Sequence, residues 1–448
     1  MQEITITDIM MHLWKARAIY TAEERGIPLF SDGLKPVQRF LISKALKIAK
    51  TKYEKVATIA TIATEGYHHG EQSAAQALVN MAADFSNNLP LFEGDGNFGN
   101  VLNPAAGAPR YIYARLTPLF EYLFKDMDLC PKHEDPDHIP PKYYLPIIPI
   151  ELLNGVKGIA TGYATNIPPH DPVSIIDWLI ARTKSSTVSV KIKPKYYSFN
   201  GTVEELGNGY EIKAPFTVTK SRSHIKVHIT DLPRGYTCNT YDTYLRKLQG
   251  NDKIESFVNN SRMNNFNYQI VIGTKSLKNT DEESICKLLK LSTTHTWNLT
   301  TISNEGKIQE WQSVSSIMEE FYRFRLPYVK KRIEVLTDNL KKTLQYNIAL
   351  QKFCTDVIEE KFSFKKLSED NFRKILKETY GIPDEKINTV INMPVRNFTA
   401  DMVKKLEKNI SEIKKQAAYY STTTEEKEYA KDLQELKNKY LDYIKTDC

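Results

Sequence analysis

Ile333, Leu336, Leu340, Thr343, Asn347, Leu350, Cys354 and Val357 follow one another at alternating spacings of three and four residues. That a/d track requires a long helix whose seam is covered by another helix. A second track runs through Leu406, Ile410, Ile413, Ala417 and Tyr420, then Leu433, Leu436 and Tyr440. Two such helices around a compact middle, Phe362–Val395, predict an antiparallel coiled coil tipped by a small helical head. Pro327 falls just before the first track and is placed to kink its helix. Taken alone, this third of the chain reads equally well as a purely structural coiled coil.

With 448 residues the chain is too long for one compact domain, and length alone predicts about three. Hydrophobic residues make up 41%, enough for real cores, and no apolar run is long enough to span a bilayer. The start, Met-Gln-Glu-Ile-Thr, has no basic-then-apolar signal, so the reading is an unexported, cytoplasmic protein. Cys130, Cys238, Cys286, Cys354 and Cys448 lack close pairs and zinc-ligand spacing, which predicts free thiols.

A net charge of +7 is ordinary when spread evenly. Here Lys35, Arg39, Lys44, Lys47, Lys50, Lys52 and Lys55 crowd one stretch that contains a single acid, Glu54. Phosphate contacts from such a stretch would release condensed counterions and make affinity strongly salt-dependent. Without further motifs, a solvated helix face explains it as well.

Helical spacing runs from Pro36 to about Lys50, through Val37, Phe40, Leu41, Ala45 and Ile48. Further helices are predicted over Tyr53–Thr64 and Glu71–Phe85, the second after the turn Gly66–Gly70. Two helices joined by a short glycine-containing turn follow helix-turn-helix logic. From Pro131 to about Ser303 the texture becomes α/β, with strand-like Ile225–Thr230 and Tyr268–Ile272 among helical Thr240–Gln249 and Asp281–Leu291.

One dipeptide carries chemistry. Arg110-Tyr111 follows a glycine- and proline-dense loop, Gly94–Pro109, where the backbone must turn tightly. A phenol with an ordinary pKa of about 10 is ionised in roughly one molecule in a thousand at neutral pH. A guanidinium beside it stabilises both the phenolate and a phosphate under attack. Most Arg-Tyr pairs are plain surface chemistry, so the surroundings decide.

Four blocks supply those surroundings in order. They are Arg25–Arg39 (Arg-Gly-Ile-Pro-Leu-Phe-Ser-Asp-Gly-Leu-Lys-Pro-Val-Gln-Arg), Tyr67–Ser73 (Tyr-His-His-Gly-Glu-Gln-Ser), Gly94–Gly99 leading into Arg110-Tyr111, and Tyr144–Pro149 continued by Leu153–Gly155 and Gly162–His170. Together they resemble the DNA-cleavage core of type IIA DNA topoisomerases, over nearly the whole chain. The adjacent His68-His69 and the Pro-Arg-Tyr-Ile wording resemble eukaryotic and T-even phage members more than gyrase. The chain begins directly at this core, as a separate cleavage (medium) subunit of a phage enzyme would.

The resemblance implies an α+β multidomain fold. A winged-helix cleavage domain with an N-terminal arm would cover residues 1–130. An α/β tower domain would cover 131–308, and a coiled coil with a C-gate head 309–448. It implies Tyr111 as the nucleophile forming a 5′-phosphotyrosyl link, with Arg110 on the phosphate; Tyr113 competes but stands where the family usually has no tyrosine. Arg25 matches an arginine near the scissile phosphate. His68 and His69 match the cleavage-centre histidines, with His69 preferred for the leaving oxygen. Lys35, Arg39 and Gln38 are the expected DNA contacts, with Lys35-Pro36 opening its helix toward the backbone.

Ile167 precedes Pro168 and Pro169, which hold it extended. An isoleucine on a stiff loop makes a wedge between base pairs. The resemblance assigns that role to it, one from each half of a dimer; apart from the motif, an apolar loop anchor is the better reading.

His133, Glu134, Asp135, Asp137 and His138 fall in a polar, proline-rich loop and read as solvated, so no metal site is expected. There is no phosphate-cradling Gly-x4-Gly-Lys-Ser/Thr motif. Magnesium would therefore be held by a partner Toprim domain and ATP by a partner ATPase domain. The expected partners are double-stranded DNA, a second copy through the C-gate, and the Toprim/ATPase subunits, with no membrane. Two rival readings are a DNA-bending winged-helix protein, which forms no covalent adduct, and a tyrosine recombinase, which the block order disfavours.

Overall fold

Pro36 opens α1 (Pro36–Ile48), since the N–H it lacks is one that a first helical turn leaves unpaired. The Lys35 amide donates to Gln38 Oε1 at 2.8 Å and closes the cap. The computed structural model describes residues 5–67, 70–135, 137–274, 279–363, 367–394 and 397–446. A helical arm over residues 6–26 precedes α1. After α1 come β1 (Glu54–Lys55), α2 (Val56–Ala63) and α3 (Glu71–Ala82). The predicted second helix starts later than Tyr53 because residues 54–55 leave it to pair with a strand. β2 (Phe92–Asp95) and β3 (Tyr113–Leu116) complete an antiparallel sheet in the order β1-β3-β2. Ala114 sits opposite both Glu54 and Gly94. The helices bury Phe40, Leu41, Ile59, Ala60, Ala74 and Leu78, each at most 3% exposed.

β4 (Val156–Ile159) and β5 (Ala164–Ile167) form a hairpin, followed by α4 (Pro172–Lys184) with Asp171 accepting from Ser174 N as its cap. Next come β6 (Thr202–Leu206), β7 (Gly209–Lys213), β8 (Phe216–Lys220), β9 (His224–Ile229), α5 (Cys238–Gly250), β10 (Ser256–Asn259), β11 (Tyr268–Gly273), α6 (Glu282–Leu288) and β12 (Ser292–Thr296). They build a β10-β11-β9-β8 sheet and a β12-β7-β6 sheet, and β13 (Thr300–Ile302) pairs with β14 (Ile308–Glu310). Period-two alternation in β9 turns Ile225, Val227 and Ile229 inward, where they meet Tyr241 and Leu245 of α5 and Ile285 of α6. Every named strand pair is antiparallel, so this segment is α+β rather than the expected α/β. Hairpins, not crossover helices, join most neighbours.

α7 (Val314–Ile358) runs 45 residues and continues through Pro327. α8 (Glu369–Glu378), α9 (Asp384–Ile391), α10 (Ala400–Thr422) and α11 (Glu425–Thr446) follow. The chain forms two compact units, Met1–Arg325 with Ala430–Cys448, and Leu326–Tyr429. In the second unit Phe353, fully buried, gathers Leu350, Cys354, Leu376, Ile387 and Leu406. Thus only the distal part of the first heptad track is buried; Thr343 is exposed and Ile333, Leu336, Leu340 and Asn347 are half-buried.

Leu433, Leu436 and Tyr440 are buried within the first unit, not on a return track. Asp432 takes Lys125 at 2.8 Å and Lys437 takes Asp177 at 2.6 Å, both inside that unit. No helix among the described residues is long and apolar enough to cross a membrane.

Candidate active site

Tyr111 stands on a turn that the protein holds from both sides. Its amide donates to Ala108 O at 2.9 Å, while the first amides of α2, Val56 N and Ala57 N, donate to Ile112 O and Pro109 O at 3.0 Å each. Ile112 is buried at 2% exposure and anchors the turn. The loop before it is braced by Asn side chains. Asn97 Oδ1 accepts from Gly99 N at 2.9 Å, and Asn100 Oδ1 accepts from Leu102 N and Asn103 N at 3.0 and 2.9 Å. Gly99, at φ +82°, is obligatory, because a Cβ there would lie 2.6 Å from Pro104 O.

A buried Ile112 and a pinned backbone leave Tyr111 outside. The residue is 71% exposed, with the Arg110 guanidinium 5.2 Å from its ring centroid. Tyr113, its competitor, lies in the middle strand β3, half-buried opposite Lys55 and Asp95. Exposure therefore separates the two tyrosines.

Arg25 ends the arm and is exposed, beside Tyr67, whose hydroxyl burial pushes up to about 12 while the Arg25 charge pulls the other way. The next residue, Gly26, packs backbone to backbone on the β4–β5 hairpin. A Cβ on Gly158 would lie 1.7 Å from Gly26 O, so only glycine fits. Lys35 Nζ donates to Lys157 O in the same hairpin at 2.8 Å, and burial lowers the Lys35 pKa. Arg25, Lys35 and the hairpin thus form one neighbourhood. His68 and His69 lie outside the described residues.

Three expected DNA contacts are engaged internally. Arg39 is buried, with Nε and Nη2 on the two Asp32 oxygens at 2.7 and 2.9 Å and Nη2 also on Leu34 O at 2.7 Å. Asp32 is fully buried and also accepts from the amides of Leu34 and Tyr144, each at 3.0 Å. A buried carboxylate needs its cation, so Arg39 is a structural partner rather than an open phosphate anchor. Gln38 Oε1 is used in the α1 cap, and the Lys35 ammonium holds the hairpin. Of the basic stretch, Lys47, Lys52 and Lys55 are exposed, and Lys50 pairs with Glu121 at 2.7 Å.

Ile167 is likewise corrected. It is 1% exposed, opposite Val156 on the inner face of the hairpin. Alternation along β5 sends Thr165 and Ile167 inward, whereas across the hairpin Lys157 and Ile159 face out. Ile159 is 87% exposed at the hairpin end, next to the turn carrying Gly162 and a half-exposed Tyr163. The sequence reading missed Ile159. Counting strand alternation back from the Gly162 turn would have found it.

The acidic loop is folded on itself. His133 and His138 stack at 3.8 Å, Asp135 Oδ1 accepts from Asp137 N at 3.0 Å, and Glu134 meets Lys142 at 3.3 Å. Among the described residues no group of three His, Cys, Asp or Glu side chains is arranged to hold a metal ion. Cys130, Cys238, Cys286 and Cys354 are free thiols.

The family model for the A-type subunits of DNA gyrase and topoisomerase IV matches residues 25–437. The DNA topoisomerase medium subunit of Enterobacteria phage T4 is 35% identical over 435 residues, covering 94% of this chain and 96% of the relative. The mitochondrial DNA topoisomerase 2 of Dictyostelium discoideum is 31% identical over 443 residues, covering 94% of this chain and 34% of the relative. The fold matches the DNA-binding, cleavage and re-ligation domain of Plasmodium falciparum topoisomerase II with a TM-score of 0.86 at 26% identity, covering 98% of this chain and 65% of that one. This chain belongs to the family of DNA gyrase and topoisomerase IV A-type subunits, the DNA-cleaving subunits of type II DNA topoisomerases.

Proposed function

We propose that this chain breaks and rejoins DNA through Tyr111. The observation that carries the reading is an exposed tyrosine on a pinned turn with a guanidinium 5.2 Å from its ring. Tyr111 Oη attacks the scissile phosphorus, the bond to the 3′-oxygen breaks, and a 5′-phosphotyrosyl ester forms. The phenol gives up one proton and the leaving oxygen gains one, so one ester replaces another and the step reverses readily. Arg110 stabilises the charge on the phosphate, with Arg25 approaching from the arm. His69, and beside it His68, take the role of contacting the leaving oxygen. The β4–β5 hairpin inserts Ile159 between base pairs, in place of the buried Ile167, with Lys157 on the same face for the backbone.

The three helices and the β1-β3-β2 sheet form the winged-helix cleavage domain within residues 1–130. The antiparallel sheets of 131–308 form the tower, and the second unit, residues 326–429, supplies the coiled coil and a C-gate head through which two copies pair. In the 132–138 loop Asp135 accepts from the Asp137 amide and Glu134 pairs with Lys142, and among the described residues no group of three His, Cys, Asp or Glu side chains is arranged to hold a divalent ion. Magnesium and ATP belong to Toprim and ATPase domains of a partner. The assembly passes a second duplex through the break, in the host cytoplasm where the gene is a phage's.

The test is a denaturing quench of the reconstituted enzyme on end-labelled DNA. Tyr111→Phe should abolish the covalent adduct and leave DNA binding nearly intact. An adduct that survives in Tyr111→Phe and vanishes in Tyr113→Phe would reverse the assignment.

A further inference from the structure

Arg234 is a half-buried cation with no acid bonded to it among the described residues. Its Nη2 donates to Ser198 Oγ at 2.5 Å, and its guanidinium lies 5.3 Å from the Tyr196 ring centroid and 5.9 Å from that of Phe199. Its Nε is buried and makes no hydrogen bond. The neighbouring acid, Asp231, has its oxygens on the amides of Asn200 and Leu232, at 2.9 and 2.8 Å. A buried N–H without an acceptor costs about 1–3 kcal/mol, and more on a charged group.

There is room for a ligand. Arg234 lines a cavity of about 390 Å³ in the first unit, within the size range of small-molecule sites. Its other walls are largely apolar, with Val101, Val156, Ile167, Leu232 and Phe266 among them. Arg234 and Lys157 set against largely apolar walls select an anion with an apolar body. The planar guanidinium fork favours a carboxylate.

We propose that this cavity binds a small aromatic carboxylate, its anionic head on Arg234 and its ring against Val101, Ile167 and Phe266. The site stands whether or not Tyr111 is the nucleophile. It does touch the cleavage machinery. Val101 and Pro104 belong to the loop leading to Tyr111, and Val156 and Ile167 are the inner face of the hairpin that carries Ile159. An occupant there would stiffen both.

The experiment titrates naphthoate into the full-length chain by calorimetry, with the neutral naphthylmethanol as comparison. Saturable binding of one naphthoate per chain is expected, with the alcohol about tenfold weaker. Arg234→Gln should weaken naphthoate by about tenfold and leave the alcohol unchanged. Val101→Trp, which fills the cavity and keeps the cation, should abolish binding of both at an unchanged melting temperature. Absence of saturable binding, or binding indifferent to Val101→Trp and to the head group, would overturn the proposal. Should Arg234→Gln fail to fold, the tryptophan variant and the two probes decide it alone.

Discussion

Arg39 illustrates what one residue's surroundings do to its role. A lysine- and arginine-rich stretch reads as a phosphate-binding face, yet Arg39 is held by a fully buried Asp32 seven positions earlier. Removing one partner of a buried pair strands the other charge, at a cost of about 3–5 kcal/mol. Arg39→Ala should therefore lower the unfolding midpoint markedly while the slope of log K against log salt for DNA stays unchanged. A slope lower by roughly 0.9 in a stably folded variant would instead mark a lost phosphate contact. Asp32 and Arg39 are plain in the sequence but their burial is not, because the donors that fix Asp32 include an amide at residue 144, far along the chain. The exposed turn at Tyr111 is legible for the opposite reason. Its neighbours in sequence, Pro109, Arg110 and Ile112, are also the residues that set its turn and exposure.

At the scale of elements, the β4–β5 hairpin decides which isoleucine is exposed. The proline pair that stiffens the strand end is visible in the sequence, and that cue pointed to Ile167. Proline fixes backbone but not the face a side chain takes; the pleat fixes that. Ile167→Ala should remove a buried side chain and destabilise the chain by about 2–5 kcal/mol. Ile159→Ala should change stability little and reduce DNA bending and cleavage, as read by fluorescence transfer between the duplex ends. A normal bend in Ile159→Ala, with a bend lost in a folded Ile167→Ala, would return the role to Ile167. Helix α1 was read almost to the residue, because proline, cap and apolar spacing all act within the segment. The heptad tracks predict two long helices of an antiparallel coiled coil around a compact head. Their last members, Leu433, Leu436 and Tyr440, are buried in the other unit by partners such as Asn88, which periodicity does not register.

Across the whole first unit, two deeply buried titratable groups shape the response of stability to pH. Glu151 is fully buried, no neighbouring side chain pairs with its carboxyl oxygens, and burial raises it to about 8 from 4.5, with the Asp32 charge adding to the rise. His170 is equally buried, and burial lowers it to about 4 from 6.5. For Glu151 the folded pKa lies above the unfolded one, so between 4.5 and about 8 the folded chain binds more protons and stability falls as pH rises. For His170 the unfolded chain binds more protons between about 4 and 6.5, so stability falls as pH drops through that window. Above 6.5 the histidine no longer contributes and the glutamate acts without it. The first unit should therefore lose a few kcal/mol between pH 6.5 and about 8. Glu151→Gln, which stays neutral, should flatten that limb and leave the acid limb in place. Denaturant melts of the first unit's transition at several pH values make the comparison; an alkaline limb of equal steepness in Glu151→Gln would place the titrating group elsewhere.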